Sequence, residues 1–172
     1  MNALEKVVGI LLAVLLLFVV PMNYLAQKQD AITQSYVTAE TTKFVDAIRN
    51  NGYLTVDMYN EYLRKIDSTN NLYTIKMEHV HQVINPLYDE ASGSFQDDTS
   101  TNYYNTYQED ILKELFEGSG TYHFSQGDYI SVKVVNRNKT YAARLQQKIY
   151  AHEMTDIQIY VTYGGMIRDE NY

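Results

Sequence analysis

The stretch from Val7 to Val20, VVGILLAVLLLFVV, is an unbroken apolar run, and its length restricts where the segment can reside more than any other feature of the chain. At ~1.5 Å of rise per residue, a helix over this run covers about 21 Å of a hydrocarbon layer near 30 Å thick. Extension from Ala3 to Leu25 supplies the roughly twenty residues that a spanning helix needs. The extension also places Glu5 and Lys6 at or just inside one membrane face. A lysine reaches the headgroups along its flexible stem. A glutamate has the shorter reach, so Glu5 is the residue of the segment that asks for a partner.

A cleaved signal peptide shares the basic start and the apolar centre. Its cleavage site, however, takes small residues at the last and third-from-last positions, and Tyr24-Leu25-Ala26 puts a tyrosine at the latter. The sequence therefore predicts an uncleaved, single-pass anchor over residues 1–25. Lys6 and the amino terminus favour an inside amino end, against Lys28 on the other side, which leaves the carboxyl domain extracytoplasmic.

Helical character continues past the anchor. Leu25, Ile32, Tyr36, Phe44, Val45 and Ile48 recur at three-to-four spacing and predict the packed stripe of an amphipathic spine helix over residues 26–52. Glu40, Lys43 and Asp46 fall between them, as a solvated face. Asn50-Asn51-Gly52 supplies the stop, since glycine readily takes the left-handed conformation that ends helices. If Pro21 only kinks the helix, anchor and spine form one element of about fifty residues.

An acid at Glu5, a run of aliphatics, a proline at Pro21, a tyrosine at Tyr24 and a continuing amphipathic helix resemble the start of a mature type IV pilin or pseudopilin. The resemblance covers about the first fifty residues. It implies that Glu5 pairs with the amino terminus of a neighbouring subunit in a filament, that Pro21 kinks the spine, and that Glu5, Pro21 and Tyr24 serve assembly. Pilins carry a leader ending in glycine that is removed before a methylated, usually aromatic residue, whereas this chain starts at Met1. The resemblance thus leaves two forms open: a pilin written without its leader, or a leaderless relative such as the minor, TadE-like pseudopilins of tight-adherence systems.

The chain has 172 residues, and the roughly 120 beyond the spine suffice for one small domain, over 53–172, and not for two. Cysteine is absent, which removes disulfides and thiolate metal sites and leaves burial to hold the core. A net charge of -7 without a basic cluster excludes nucleic acid as an expected partner. The composition holds 17 tyrosines and no tryptophan. Tyrosine suits half-buried positions, subunit contacts and sugar platforms alike, and the rim of a small core is the expected place for most of them.

Within this domain, Thr55 is the expected N-cap of a helix carrying Tyr59, Tyr62, Leu63 and Ile66 on one face, with Asp57 in its first turn. Ser68 to Asn71 reads as a turn. Leu72 to Val83 alternates as a strand that puts His79 and His81 on the face of Tyr73, Ile75 and Met77. Asn85 to Asn105 is polar and tyrosine-rich and reads as a long loop, functional or mobile. Thr106 and Glu109 form a capping-box pattern for a helix bearing Ile111, Leu112, Leu115 and Phe116 and closed by Gly118. Gly127-Asp128 turns into a strand over Tyr129 to Val135, and Asn136-Arg137-Asn138 turns out of it. Thr140 caps a short helix with Leu145 and Ile149. Thr155 to Tyr163 is a last strand, ended by Gly164-Gly165. The predicted fold class is α+β: a long amino-terminal transmembrane and spine helix carrying a small head of antiparallel sheet and helices.

Chemistry is sparsely signalled. His79 and His81, one residue apart on a strand, point to one side and can both reach a metal, but zinc takes three or four protein ligands. The remaining ligands would have to come from His123 or His152 across the fold. There is no G-x-S-x-G elbow, no glycine-rich phosphate loop and no second histidine after His152-Glu153. Asp97-Asp98 reads as a solvated charge pair, and Asn138-Lys139-Thr140 as a chance sequon. No catalytic residue, cofactor or metal is expected, and the chain is not expected to be an enzyme. Two functions from different classes stand: a structural pilin-like subunit of a bacterial surface filament or secretion apparatus, forming homo- or hetero-oligomers with other pilin-like subunits or assembly proteins; and a membrane-anchored extracytoplasmic module binding a wall polymer, a sugar or a protein.

Overall fold

One helix, α1 (Ala3–Asn51), carries the chain from the apolar segment into the head and runs for 49 residues with Pro21 inside it. The computed structural model describes residues 3–85, 88–89, 94–95, 100–150 and 159–168. Proline costs the helix one backbone hydrogen bond and crowds the carbonyl four residues earlier, a local defect that the flanking turns here outlast. The end of α1 is the expected one. Gly52 takes φ 73° and its N–H donates to the Ile48 carbonyl at 2.9 Å, a left-handed helix terminus.

The buried stripe of α1 is Ala26, Thr33, Val37, Glu40, Thr41, Phe44, Val45 and Ile48. Only Phe44, Val45 and Ile48 were legible from spacing. Leu25, Ile32 and Tyr36 are exposed, because in its middle turns the helix meets the head through smaller residues that let other elements approach closely. There α4 (Tyr141–Tyr150) packs with Ala142 and Ala143 buried, and Thr140, its cap, donates a hydrogen bond to Asp30. Glu40 also departs from expectation. It is not solvated but 7% exposed, and it lies 2.6 Å from Lys43 Nζ and 3.5 Å from Lys65 Nζ. The hydrogen bond from Lys43 is the main reason its carboxyl group is held below the ordinary glutamate range, against the opposing effect of burial.

Strand β1 (Tyr53–Thr55) leads into α2 (Val56–Asp67). Thr55 is the N-cap, its side chain accepting from the Met58 N–H at 3.2 Å. Tyr59, Tyr62 and Ile66 are buried on the predicted face, where Tyr62 stacks on Phe44 with ring centroids 4.3 Å apart. Its hydroxyl lies 2.8 Å from that of Thr41. The main sheet is antiparallel, in the order β5-β2-β7-β8. Its strands are β2 (Tyr73–Asn85), β5 (Ser100–Tyr107), β7 (Tyr129–Asn136) and β8 (Tyr160–Met166). Met77, His79, Ile130, Val132, Val134 and Val161 are buried on its inner face, in register across β2, β7 and β8. Helices α1 and α3 (Gln108–Glu117) lie against the sheet, which makes the expected α+β layers. Two short ladders complete the head: β1 with β6 (Thr121–His123), and β3 (Tyr88–Asp89) with β4 (Ser94–Phe95).

Four further expectations are corrected. The loop proposed for Asn85 to Asn105 contains the pair β3–β4 and the first part of β5, which lies along β2 from Ser100 opposite Asn85 to Tyr107 opposite Glu78; the rest of it lies outside the described residues. Thr106 belongs to β5, so the capping box does not form. Tyr107 is the N-cap of α3 and makes no side-chain cap bond, although Gly118 closes that helix as expected. Gly164 and Gly165 do not end the last strand but pair with Ser131 and Ile130 inside β8. A Cβ at Gly164 would come within 2.6 Å of the Ile130 carbonyl oxygen, so the absence of a side chain is what lets the strands lie together there. On α4, Thr140 caps through the Ala143 N–H as expected, but Ile149 is exposed and the buried pair is Ala142 and Ala143. The start of the last predicted strand, with Ile157, lies outside the described residues.

Candidate functional site

Two places in the molecule stand apart from ordinary packing. The first is the amino-terminal half of α1. Its most apolar 18-residue stretch has no buried residue, and leucines, valines and Phe18 project from it on every side. A helix that is apolar all round belongs in a membrane or between other apolar surfaces. By length and composition it can cross a membrane. Glu5 lies exposed in its first turns. Tyr24 is exposed beside Lys28, whose Nζ sits 5.9 Å from the ring centroid. Pro21 lies between the two. The three residues singled out for assembly therefore share this outward helix.

The transition from naked to packed helix is sharp. Asn23 Oδ1 accepts from Gln146 Nε2 at 3.2 Å. Ala26 is buried, and Gln34 bonds the Tyr160 backbone through both its amide nitrogen and its amide oxygen, at 2.7 and 3.0 Å. Cleavage after Ala26 would cut the helix at the position where it begins to hold α4.

The second place is a polar cluster at the inner end of the sheet. Alternation along β2 puts His79 and His81 on its buried face. In the β2–β7 register His79 faces Ile130 and Val80 faces Tyr129, so the residue brought level with His81 is Asp128. The turn before β7 fixes this acid. Gly127 takes φ 89°, the Asp128 N–H donates to Ser125 O at 3.0 Å, and the Ser125 N–H donates to Asp128 Oδ2 at 2.8 Å. His79 Nε2 lies 2.8 Å from Asp128 Oδ2, and His81 Nδ1 lies 2.7 Å from Oδ1. The far side of the His79 ring is held too, with Nδ1 2.8 Å from the Tyr122 hydroxyl and the Phe124 ring edge-on at 4.7 Å.

His79, Asp128 and Tyr122 are buried, and His81 is partly open to solvent. Burial opposes the charge on Asp128, but the Ser125 N–H and the two imidazoles outweigh it and hold the carboxyl group below its ordinary range. Burial pushes the Tyr122 phenol up, against a hydrogen bond with Thr106. Comparison of the chain with protein-family models, with curated proteins and with solved structures gives no match.

Strand spacing puts the two histidines on one side, as found, and does not point to Asp128 between them. His123, one of the two expected to join them, is exposed on β6 with its ring 6.3 Å from that of Tyr53; His152 lies outside the described residues. The signal for Asp128 was present in the turn Gly127-Asp128, but its use requires the antiparallel register of β2 on β7. The tyrosines do not gather at the rim of the core: among those of described burial, only Tyr53, Tyr73 and Tyr163 are half-buried and most of the rest are exposed. Tyr59, Tyr62 and Tyr122 are buried, while Tyr103, Tyr104 and Tyr107 stand exposed along β5, at the edge of the sheet.

Proposed function

We propose that this protein is a structural, pilin-like subunit, of the minor pilin or pseudopilin kind, in a bacterial surface filament or secretion apparatus. The supporting observation is the division of α1: one continuous helix, apolar and uncovered in its amino half, that becomes the central packed element of a small α+β head in its carboxyl half. Such a helix has two compatible environments. In the membrane, lipid covers it as a single-pass anchor with its amino end inside and the head extracytoplasmic. In an assembly, the apolar halves of other subunits replace the lipid. Glu5 then meets the amino terminus of a neighbour, since a carboxylate near the apolar layer gains from a positive partner, and Pro21 and Tyr24 shape the exit of the helix from the bundle.

The alternative, a membrane-anchored binding module, draws on Tyr103 and Tyr107, exposed on one face of the edge strand, with Tyr104 exposed on the other, aromatic side chains of the sort that sugars and proteins engage. Glu5→Gln separates the two. Membrane insertion and the urea stability of the head are expected to stay as in the wild type. Recovery in sheared filaments, or in cross-linked complexes with other pilin-like subunits, is expected to fall several-fold. Normal incorporation of E5Q would remove the assembly role of Glu5 and leave the binding-module reading ahead.

A further inference from the structure

We propose that His79, His81 and Asp128 bind one divalent transition-metal ion of the zinc class. Two imidazoles and a carboxylate are a donor set that suits such ions. The three side chains offer ligand atoms that all lie within 4.8 Å of one another. In a tetrahedral zinc site with bonds near 2.0–2.1 Å, ligand atoms sit about 3.3 Å apart. The two histidine–aspartate contacts run to different carboxylate oxygens, 2.8 Å to Oδ2 and 2.7 Å to Oδ1, so the set reaches that spacing by a movement of the His81 ring. His81, 39% exposed in its side chain, is free to swing toward His79. Ion entry and the remaining coordination position fall on this solvent side, because the other two ligands are buried.

The surroundings are those of a supported metal ligand. A histidine that binds metal through one nitrogen usually donates the other N–H to an oxygen, which fixes its tautomer. His79 has that oxygen in Tyr122, and Tyr122 in turn bonds Thr106. Without metal, a proton must lie between His79 Nε2 and Asp128 Oδ2, since two lone pairs do not face each other at 2.8 Å. With metal, the cation takes that place. The His79 ring then carries its one proton on Nδ1 and donates it to the Tyr122 oxygen, and the Tyr122 hydroxyl donates to Thr106, while His81 likewise gives up the proton between its Nδ1 and Asp128 Oδ1 and carries one on Nε2. Only the partly exposed His81 has to move for the exchange. Asp128 is meanwhile held by the Ser125 N–H, whether or not the ion is bound. The ion would tie β2 to the turn before β7, and a partner side chain could fill its open position.

The test is calorimetric titration of ZnCl2 into the full chain in detergent micelles, stripped with chelator and carrying no histidine tag. One ion per chain is expected to bind saturably. His81→Gln keeps an amide N–H for Asp128 but removes a ligand, and affinity should fall at least ~10-fold, while His123→Gln should match the wild type. Tyr122→Phe, which leaves the ligands in place, should weaken binding on the order of 10-fold. Zinc should also raise the urea midpoint of the wild type and not that of H81Q. In the wild-type chain, the imidazole resonances of His79 and His81 should shift on adding zinc and those of His123 should not, a readout that holds even if a variant fails to fold. Absence of saturable binding, equal binding by H81Q and wild type, or unmoved His79 and His81 resonances would overturn the proposal.

Discussion

Ile48→Ala and Ile32→Ala make the same chemical change on the same helix, and the fold predicts opposite outcomes for them. Ile48 is 0% exposed, packed in the cluster of Val45, Leu54 and the sheet's inner residues, whereas Ile32 is 55% exposed. Truncating a fully buried isoleucine removes its transfer energy and leaves a cavity that the neighbours only partly fill, at a cost of about 3–4 kcal/mol. Truncating Ile32 removes side-chain carbon that is mostly out of the core and gains a few tenths of a kcal/mol in helix propensity, for a net change within about 0.5 kcal/mol of zero. A urea dependence of roughly 2 kcal/mol per molar for a head of this size turns the first figure into a midpoint shift of about 1.5–2 M. The assay is urea unfolding of the full chain in detergent, followed by near-ultraviolet tyrosine circular dichroism. A common loss in both variants, or a loss below about 1 kcal/mol for I48A, would refute the assignment of the buried stripe.

Two further stability predictions follow from corrected positions. Glu40 has its carboxyl group held below the ordinary range by Lys43, so its contribution is fully present above the unfolded glutamate value of about 4.3 and disappears as pH falls through the lower folded value. Urea midpoints of wild type and Glu40→Gln should therefore differ at pH 7 and converge in acid, and a constant difference down to pH 3 would show that the contact is not ionic. Gly164→Ala should cost about 1–3 kcal/mol because its Cβ meets the Ile130 carbonyl oxygen at 2.6 Å. Gly9→Ala, with nothing within 4 Å of the added carbon, should leave the urea midpoint unchanged, so an unaffected G164A would mean that β8 does not lie against β7 as described.

How much of this fold was legible depended on how far apart the deciding residues lie in the chain. Local chemistry was read well. Gly52 as a helix stop, Thr55 and Thr140 as caps and the alternation of Ile130, Val132 and Val134 each need only neighbours a few residues away. The α1 stripe failed in its middle because hydrophobicity marks the residues that can be buried, while burial is set by what comes to cover the helix. Here α4 arrives on the side of Ala26 and Thr33 and leaves the larger Ile32 outside. Strand β5 was read as loop for a related reason. Its sequence STNYYNTY carries no apolar alternation, since an edge strand exposing Tyr103, Tyr104 and Tyr107 has little core to fill. Its ladder with β2 is a backbone property that side-chain patterns do not report.

The polar cluster shows the same limit in the chemistry. The pairing of His79 with His81 follows from strand periodicity alone, but Asp128 joins them only through an antiparallel register that spans forty-odd residues of chain, with Ser125 supplied by the same turn, Tyr122 by β6 just before it and Thr106 by β5. A core composed for stability alone would place apolar groups here, because a buried carboxylate and imidazole gain from each other only what their desolvation leaves. The arrangement also differs from a bare ion pair in having every buried nitrogen and oxygen of His79 and Asp128 assigned to a partner. That degree of satisfaction fixes the His79 ring and the carboxylate in one orientation, with His81 at the open edge. A site held in this way can exchange a proton for a cation without rebuilding the sheet around it, and the zinc titration measures whether it does.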